Sequence, residues 1–255
     1  MISKYLEASI LALIQGFSEF IPVSSSAHLV IVSEISSFDI NSLQLDISLH
    51  LGSLLAIILY FSKDLIQIFS NKNLLLLITM GSIPLIIFGL IFYKTGGIYN
   101  LRGLKIIAWT TLIFGVLLFI ADKSKVKKKI KLHLNLKNIL IIGLLQILAI
   151  IPGVSRSGIV ITASRFLNFD RIESSKIAFF LSIPALAGAS FLGLTDLMKE
   201  NFIFDFIFLF LIFFSFIFSY LTIKYFLIYI KKFSLNIFVY YRIFLAIILF
   251  IIIYA

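Results

Sequence analysis

Six long apolar runs, near 45–61, 74–93, 104–120, 173–194, 202–223 and 236–254, alternate with short polar connections. Each is roughly 17–22 residues long, enough for a helix to cross a hydrocarbon core about 30 Å thick. Two further apolar stretches break that pattern. The first, Leu11 to Val32, contains Q-G-F-S-E-F-I-P-V-S-S-S-A-H at positions 15–28, with Pro22 interrupting the run. The second, 138–167, contains Q-I-L-A-I-I-P-G-V-S-R-S-G at 146–158. Each predicts a helix of about a dozen residues, a loop, and a helix of about nine, too short to span. Both are therefore expected to be re-entrant, entering and leaving on one face. The expected fold is an all-α polytopic membrane protein with six transmembrane helices and two re-entrant helix–loop–helix segments.

The two broken stretches correspond to each other. Shifted by 131 positions, Gln15 falls on Gln146, Val23 on Val154, Ser24 on Ser155 and Ser26 on Ser157. Ser25 falls on Arg156 and Ala27 on Gly158. A second echo, Ser82-Ile83-Pro84 and Ser182-Ile183-Pro184, has an offset of 100, so the halves differ in length. The pattern predicts an inverted repeat within a single integral membrane domain, 1–255. The first repeat covers about 1–120, a basic cytoplasmic loop about 121–137, and the second repeat about 138–255. Interrupted apolar segments at corresponding places point to a binding site near the membrane midplane.

Composition agrees: 61% of the 255 residues are hydrophobic and the mean hydropathy is +1.12, against about 45–50% apolar in soluble domains. The spans use the whole length, leaving no room for a soluble domain, and no signal-peptide pattern opens the chain. Without cysteine there are no disulfides and no thiolate metal sites. The net charge of +10 fits membrane orientation rather than nucleic acid, because it is unevenly placed. Loop 121–137 carries seven lysines, and alternation puts 62–73, 164–172 and 224–235 on its side, fourteen basic residues together. Opposite lie Lys4, Lys94, Arg102 and Lys199, with Lys105 at the boundary. Both termini are then expected outside, with the second re-entrant segment entering from the cytoplasm and the first from outside. The nine phenylalanines between 202 and 218 read as lipid-facing filler.

Hydrocarbon is a poor place for Glu19, three serines (Ser24, Ser25, Ser26) and His28, so these should line a protein-enclosed cavity. Gln15 and Glu19 share a helix face, as do Ser25 and His28 if the chain turns helical after Ser24. The second motif adds Arg156 for two-pronged phosphate binding, hydroxyls on Ser155 and Ser157, and Gly153 and Gly158 for close backbone approach. The free N–H groups of the short helix after Ser24 would point at whatever occupies the break. Blander readings stand beside these. In these, Ser24 or Ser26 serves only as a cap, Gln15 as an amide bonded to backbone, His50 as a satisfied side chain and His133 as surface. The bland reading of Glu19 and Arg156 is a purely structural pair.

With these residues, both motifs and the span pattern, essentially the whole chain resembles the undecaprenyl-diphosphate phosphatase family, the bacitracin-resistance membrane enzymes. The resemblance implies a bacterial cytoplasmic (inner) membrane enzyme with its active site facing outside. It implies hydrolysis of undecaprenyl or another polyprenyl diphosphate to the monophosphate, recycling the carrier for cell-wall synthesis. It also implies a divalent cation, Mg²⁺ or Ca²⁺. Glu19, Ser25, His28 and Arg156 match the catalytic residues. Gln15, Ser24, Ser26, Gly153, Ser155, Ser157 and Gly158 match positions around the substrate. Gln15 stands where many members have Glu, leaving Glu19 to meet a metal together with the substrate phosphates, and Ala27 stands where Gly is usual. Two routes are open: Ser25 as nucleophile activated by His28, with Glu19 orienting the imidazole, or a water activated by His28. The expected partners are the polyprenyl diphosphate and the bilayer, with a homodimer compatible and nucleic acid not. The rival class is a transporter or flippase using the same cavity, for which aligned serine and histidine would be superfluous. A second lipid-phosphatase signature, S-R-x5-H, is absent after Ser155-Arg156.

Overall fold

The computed structural model of the chain describes residues 2–35, 42–97, 101, 103–124, 128–199 and 205–254. Asp39 in the polar connection, Arg102, Lys125 and Lys127 lie outside the described residues, as does the start of the phenylalanine run. The helices are α1 (Ile2–Ser18), α2 (Ser25–Ile35), α3 (Ser42–Tyr60), α4 (Ser62–Ser70), α5 (Lys72–Thr95) and α6 (Leu104–Asp122). After them come α7 (Ile130–His133), α8 (Leu136–Gln146) with a 3₁₀ turn Ile147–Ile150, and α9 (Arg156–Phe166). The last are α10 (Arg171–Lys199), α11 (Phe206–Lys232) and α12 (Asn236–Tyr254). Among the described residues, six of these, α3, α5, α6, α10, α11 and α12, are long and apolar enough to cross a membrane. The chain is an all-α multi-pass membrane protein, and its six spans fall on the six apolar runs, although α11 continues to Lys232, into the stretch 224–235 expected as a connection.

Three local expectations are corrected. The first short helix is not a dozen residues but 17, because α1 begins at Ile2, ahead of the apolar run. The connection 62–73 is not plain loop. It holds α4, whose polar Lys63, Asp64 and Gln67 alternate with exposed Ile66 and Phe69 in the manner of an interfacial helix. The phenylalanines are not mere filler either: Phe206 and Phe213 are exposed, but Phe208 is buried, and Phe210, Phe214 and Phe218 pack against α1 and α3. Small residues on one α1 face, Ala8, Ala12 and Gly16, let α11 come close enough for this. A side-chain carbon on Gly16 would sit 2.9 Å from the Ser219 main-chain nitrogen.

The halves repeat their pairings. α1 packs on α2 and α11, and α8 packs on α9 and α5, while α3 meets α10 and α6 meets α12 across the halves. At one end the bundle is tied by Asp122. Its carboxylate accepts from Arg171 at 2.7 and 2.9 Å and from the Leu235 N–H at 3.0 Å, and faces Arg165 at 3.5 Å. Arg165 also caps the carbonyls of Phe169, Asp122 and Ser124. This network fixes the end of α9, and so the position of its other end, where the site lies.

Candidate active site

Pro22 and Pro152 each stop a helix, and the chain restarts two or three residues later on a serine in the left-handed region. Ser24 has φ 79° and Ser155 has φ 70°. Each costs about 1–3 kcal/mol for a residue with a side chain, a strain tolerated where the surroundings impose it. Each serine also caps the helix it starts: Ser24 Oγ accepts from Ala27 N–H at 3.4 Å, and Ser155 Oγ from Gly158 N–H at 3.1 Å. Each contacts the serine two residues on, Ser26 at 3.3 Å and Ser157 at 3.2 Å. The 131-residue correspondence is thus reproduced in backbone conformation and hydrogen bonding, and the capping expected of Ser24 holds.

The two breaks are sewn to each other. Gly153 N–H donates to Ser24 Oγ at 3.2 Å, and Ser157 Oγ donates to the Ile21 carbonyl at 2.9 Å. A side-chain carbon on Gly153, at φ 91°, would lie 2.9 Å from the Ile107 carbonyl and closer still to Thr110 Oγ1, so any side chain there would collide. The N-termini of α2 and α9 therefore meet, with Ser25 and Arg156 as their first residues.

Between them lies Glu19, buried in the stretch after α1. One carboxylate oxygen accepts from Arg156 Nη2. The other accepts from Gln15 Nε2 at 2.9 Å and from Ser25 Oγ at 2.5 Å. Arg156 Nη1 reaches the Ser182 carbonyl at 3.2 Å, two residues before Pro184 inside α10. The second echo motif thus supports the guanidinium. Gln15 is buried, but its amide serves Glu19 rather than backbone, and its Oε1 has no hydrogen-bond partner among the described residues. Ser26 is exposed beside the site.

His28 is placed otherwise than expected. Its Nδ1 lies 2.6 Å from the Ser24 carbonyl, which can only accept, so Nδ1 carries the proton and Nε2 is left as acceptor. The Tyr241 hydroxyl donates to Nε2, and the two rings stack with centroids 5.6 Å apart and planes 10° apart. The helical spacing that puts Ser25 and His28 on neighbouring faces is present, yet Ser25 turns to Glu19 and His28 to α12. His50 donates from Nδ1 to the Asp46 carbonyl at 2.6 Å on its own helix and lies near enough to Glu19 to act on it electrostatically, while His133 is exposed.

Sequence reasoning missed α12's contribution. Besides Tyr241, it supplies Arg242, fully buried and bonded to main-chain carbonyls of both breaks. Its signal was available: a charge inside the apolar run 236–254, the same criterion that singled out Arg156. Tyr241 had none, being one of two adjacent tyrosines in an aromatic run.

The family model for bacitracin resistance protein BacA matches residues 8–248. The chain belongs to that family. The match takes in both breaks of this BacA-family chain and the Tyr241-Arg242 pair. An undecaprenyl-diphosphatase from Pelagibacter ubique is 57% identical over 255 residues, all of both chains. Relatives of the same name from Elusimicrobium minutum and Thermodesulfovibrio yellowstonii are 41% and 39% identical, over 96% and 97% of this chain and 96% of theirs.

Proposed function

We propose that this chain hydrolyses the terminal phosphate of undecaprenyl diphosphate or a closely similar polyprenyl diphosphate, leaving the monophosphate carrier for reuse in cell-wall synthesis. The observation that carries this reading is the meeting of two capped helix N-termini around a carboxylate, a hydroxyl and a guanidinium within a membrane-embedded bundle. The names of the BacA-family relatives agree with it.

Arg156 binds the phosphate through its planar fork, and free N–H groups of α2 and α9 add to the anion cradle. Ser25 Oγ attacks the terminal phosphorus as its proton passes to Glu19 Oε2, the atom it already donates to. The bond from phosphorus to the bridging oxygen breaks, and the polyprenyl monophosphate leaves. Water then attacks the phosphoserine and gives its proton to a second base, while Glu19 returns its proton to the departing Ser25 oxygen, so that inorganic phosphate leaves with Ser25 restored. His28, with Nε2 as acceptor, stands ready to take the water's proton once Tyr241 yields its place.

A divalent cation fits the donors present. Among the described residues there is no group of three His, Cys, Asp or Glu, but Glu19 and the unpartnered, buried Gln15 Oε1 together offer hard oxygens. Glu19 and Gln15 would hold a Mg²⁺ or Ca²⁺ together with the substrate phosphates. Such an ion supplies charge neutralisation on the phosphoryl oxygens.

The two broken segments are taken as re-entrant and oppositely oriented, in a bacterial inner membrane, with the cavity opening outside and the prenyl tail leaving between spans. Support comes from the lysine bias and the repeated pairings. The deciding experiment is phosphate release from a polyprenyl diphosphate by purified protein in detergent, with added Mg²⁺ or Ca²⁺ and with EDTA. Release that the metal restores after EDTA is expected. No release under any metal condition would overturn the reading.

A further inference from the structure

Neither motif accounts for Arg242. Its side chain is fully buried, and among the described residues no carboxylate forms an ion pair with it. Every bond it makes goes to a main-chain carbonyl. Nε donates to Thr111 at 3.2 Å; Nη1 to Pro22 at 3.2 Å and Val154 at 3.1 Å; Nη2 to Gly153 at 2.7 Å and Thr110 at 3.5 Å. Pro22 belongs to the first break, Gly153 and Val154 to the second, and Thr110 and Thr111 to α6. One planar fork therefore spans the two chain segments that end in the left-handed Ser24 and Ser155. Its full set of donors is used.

A buried guanidinium without a counter-ion is unfavourable unless something offsets it. The offset here is twofold. Carbonyl dipoles solvate the charge, and the charge in turn fixes the spacing of the two breaks, from which Ser25 and Arg156 start. The remaining positive charge lies behind a site that takes a diphosphate. We propose that Arg242 is a positioning residue for phosphoryl transfer: it bolts the two helix starts in register and leaves an uncompensated positive charge behind the phosphate cradle. The kinetic side rests on the phosphatase reading; the bolt itself does not.

Lysine keeps the charge but cannot fork across four or five carbonyls, and glutamine loses both charge and fork. Gly115 on α6 offers a gentler handle. A side-chain carbon there would lie 3.2 Å from Arg242 Cβ and 3.6 Å from Nε, so Gly115→Ala nudges the guanidinium without removing a donor. The measurements are kcat and KM per folded protein, and amide hydrogen exchange resolved by peptide. Displacements approaching 1 Å can cost on the order of 10²-fold in rate. Arg242→Lys is expected to lose about that in kcat with KM within about threefold, and Arg242→Gln to raise KM about tenfold as well. Gly115→Ala should lose several-fold in kcat. In all three, exchange should rise across 21–28 and 153–158 while 165–172, held by Asp122, stays protected. Wild-type kcat in folded Arg242→Lys, or exchange rising evenly along the chain, overturns the proposal. If the Arg242 variants do not fold, Gly115→Ala decides alone: unchanged kcat and unchanged exchange at both breaks overturn it. If wild-type protein releases no phosphate but exchange rises only at the breaks, the phosphatase reading fails and the bolt stands.

Discussion

Ser25 donates to Glu19, not to His28, and that contact makes a quantitative claim about mutant kinetics. Replace Glu19 by Gln, Ser25 by Ala and His28 by Ala, singly and in the pairs containing Ser25. A positioned general base contributes about 10²–10⁴-fold, so take about 10³ for Glu19. Removing the nucleophile should cost at least as much. If the two act as one unit, the Ser25/Glu19 double mutant should be scarcely slower than the worse single, whereas independent effects would multiply to about 10⁶. The gap of about 10³ corresponds to roughly 4 kcal/mol of coupling, far outside assay error. His28 serves the later hydrolysis of the phosphoserine, so His28→Ala should slow steady turnover yet leave a first-turnover burst of polyprenyl monophosphate, which Ser25→Ala abolishes. Glu19→Gln also strips Arg156 of its carboxylate, and breaking a buried pair costs about 3–5 kcal/mol, so each variant needs a monodisperse folded peak before its rate is counted. The assay is phosphate release at saturating lipid substrate. Multiplying losses for Ser25 with Glu19, together with loss of that burst in His28→Ala, would refute the assignment and restore imidazole activation of the serine.

Arg156→Lys keeps charge but loses the bond pair to Glu19 and the Ser182 carbonyl, and is expected to lose about 10²–10³ in kcat; near wild-type turnover would make Arg156 structural. Tyr241→Phe keeps the ring stack but frees His28 Nε2, so the pH–rate profile should shift while the melting temperature stays put; an unchanged profile would detach Tyr241 from His28's role. Asp122→Asn unpairs Arg171 and the buried Arg165, and should lower stability by about 3–5 kcal/mol in thermal melts with turnover per folded molecule retained. Tags on both termini should react with an impermeant reagent in intact cells; labelling only after permeabilisation would turn the cavity toward the cytoplasm.

What the sequence made legible and what it hid follow one physical line. The six spans were readable because burial in hydrocarbon demands unbroken apolar runs, and the breaks because Pro22 and Pro152 remove an N–H each. The Ser24/Ser155 correspondence was readable as letters, and it proved to be a shared left-handed turn and cap. The partners across the chain were hidden. His28 and Tyr241 are 213 positions apart, and no local period connects them. A helical wheel can say that Ser25 and His28 are neighbours. It cannot say that the Ser24 carbonyl, one turn back, claims Nδ1 and swings the ring toward α12. α4 escaped because a nine-residue amphipathic helix looks like a polar connection when only long runs are sought.

The two halves share a backbone device but not its chemistry, and the difference lies in one position. Directly after the left-handed serine, the first half places Ser25 and the second Arg156, each the first residue of its helix. That position puts a side chain at the positive end of a helix, where both an attacking hydroxyl and an anion-binding cation are useful. On the proposed mechanism, two serines would leave the phosphate unheld, and two arginines would leave no nucleophile. A duplicated turn thus becomes a site only by diverging at this residue, and only if the copies are held face to face at fixed spacing. The cross-links Gly153–Ser24 and Ser157–Ile21 supply part of that hold. Arg242 stands outside both motifs and bonds to both, so it belongs to neither copy of the device; it sets the distance between them.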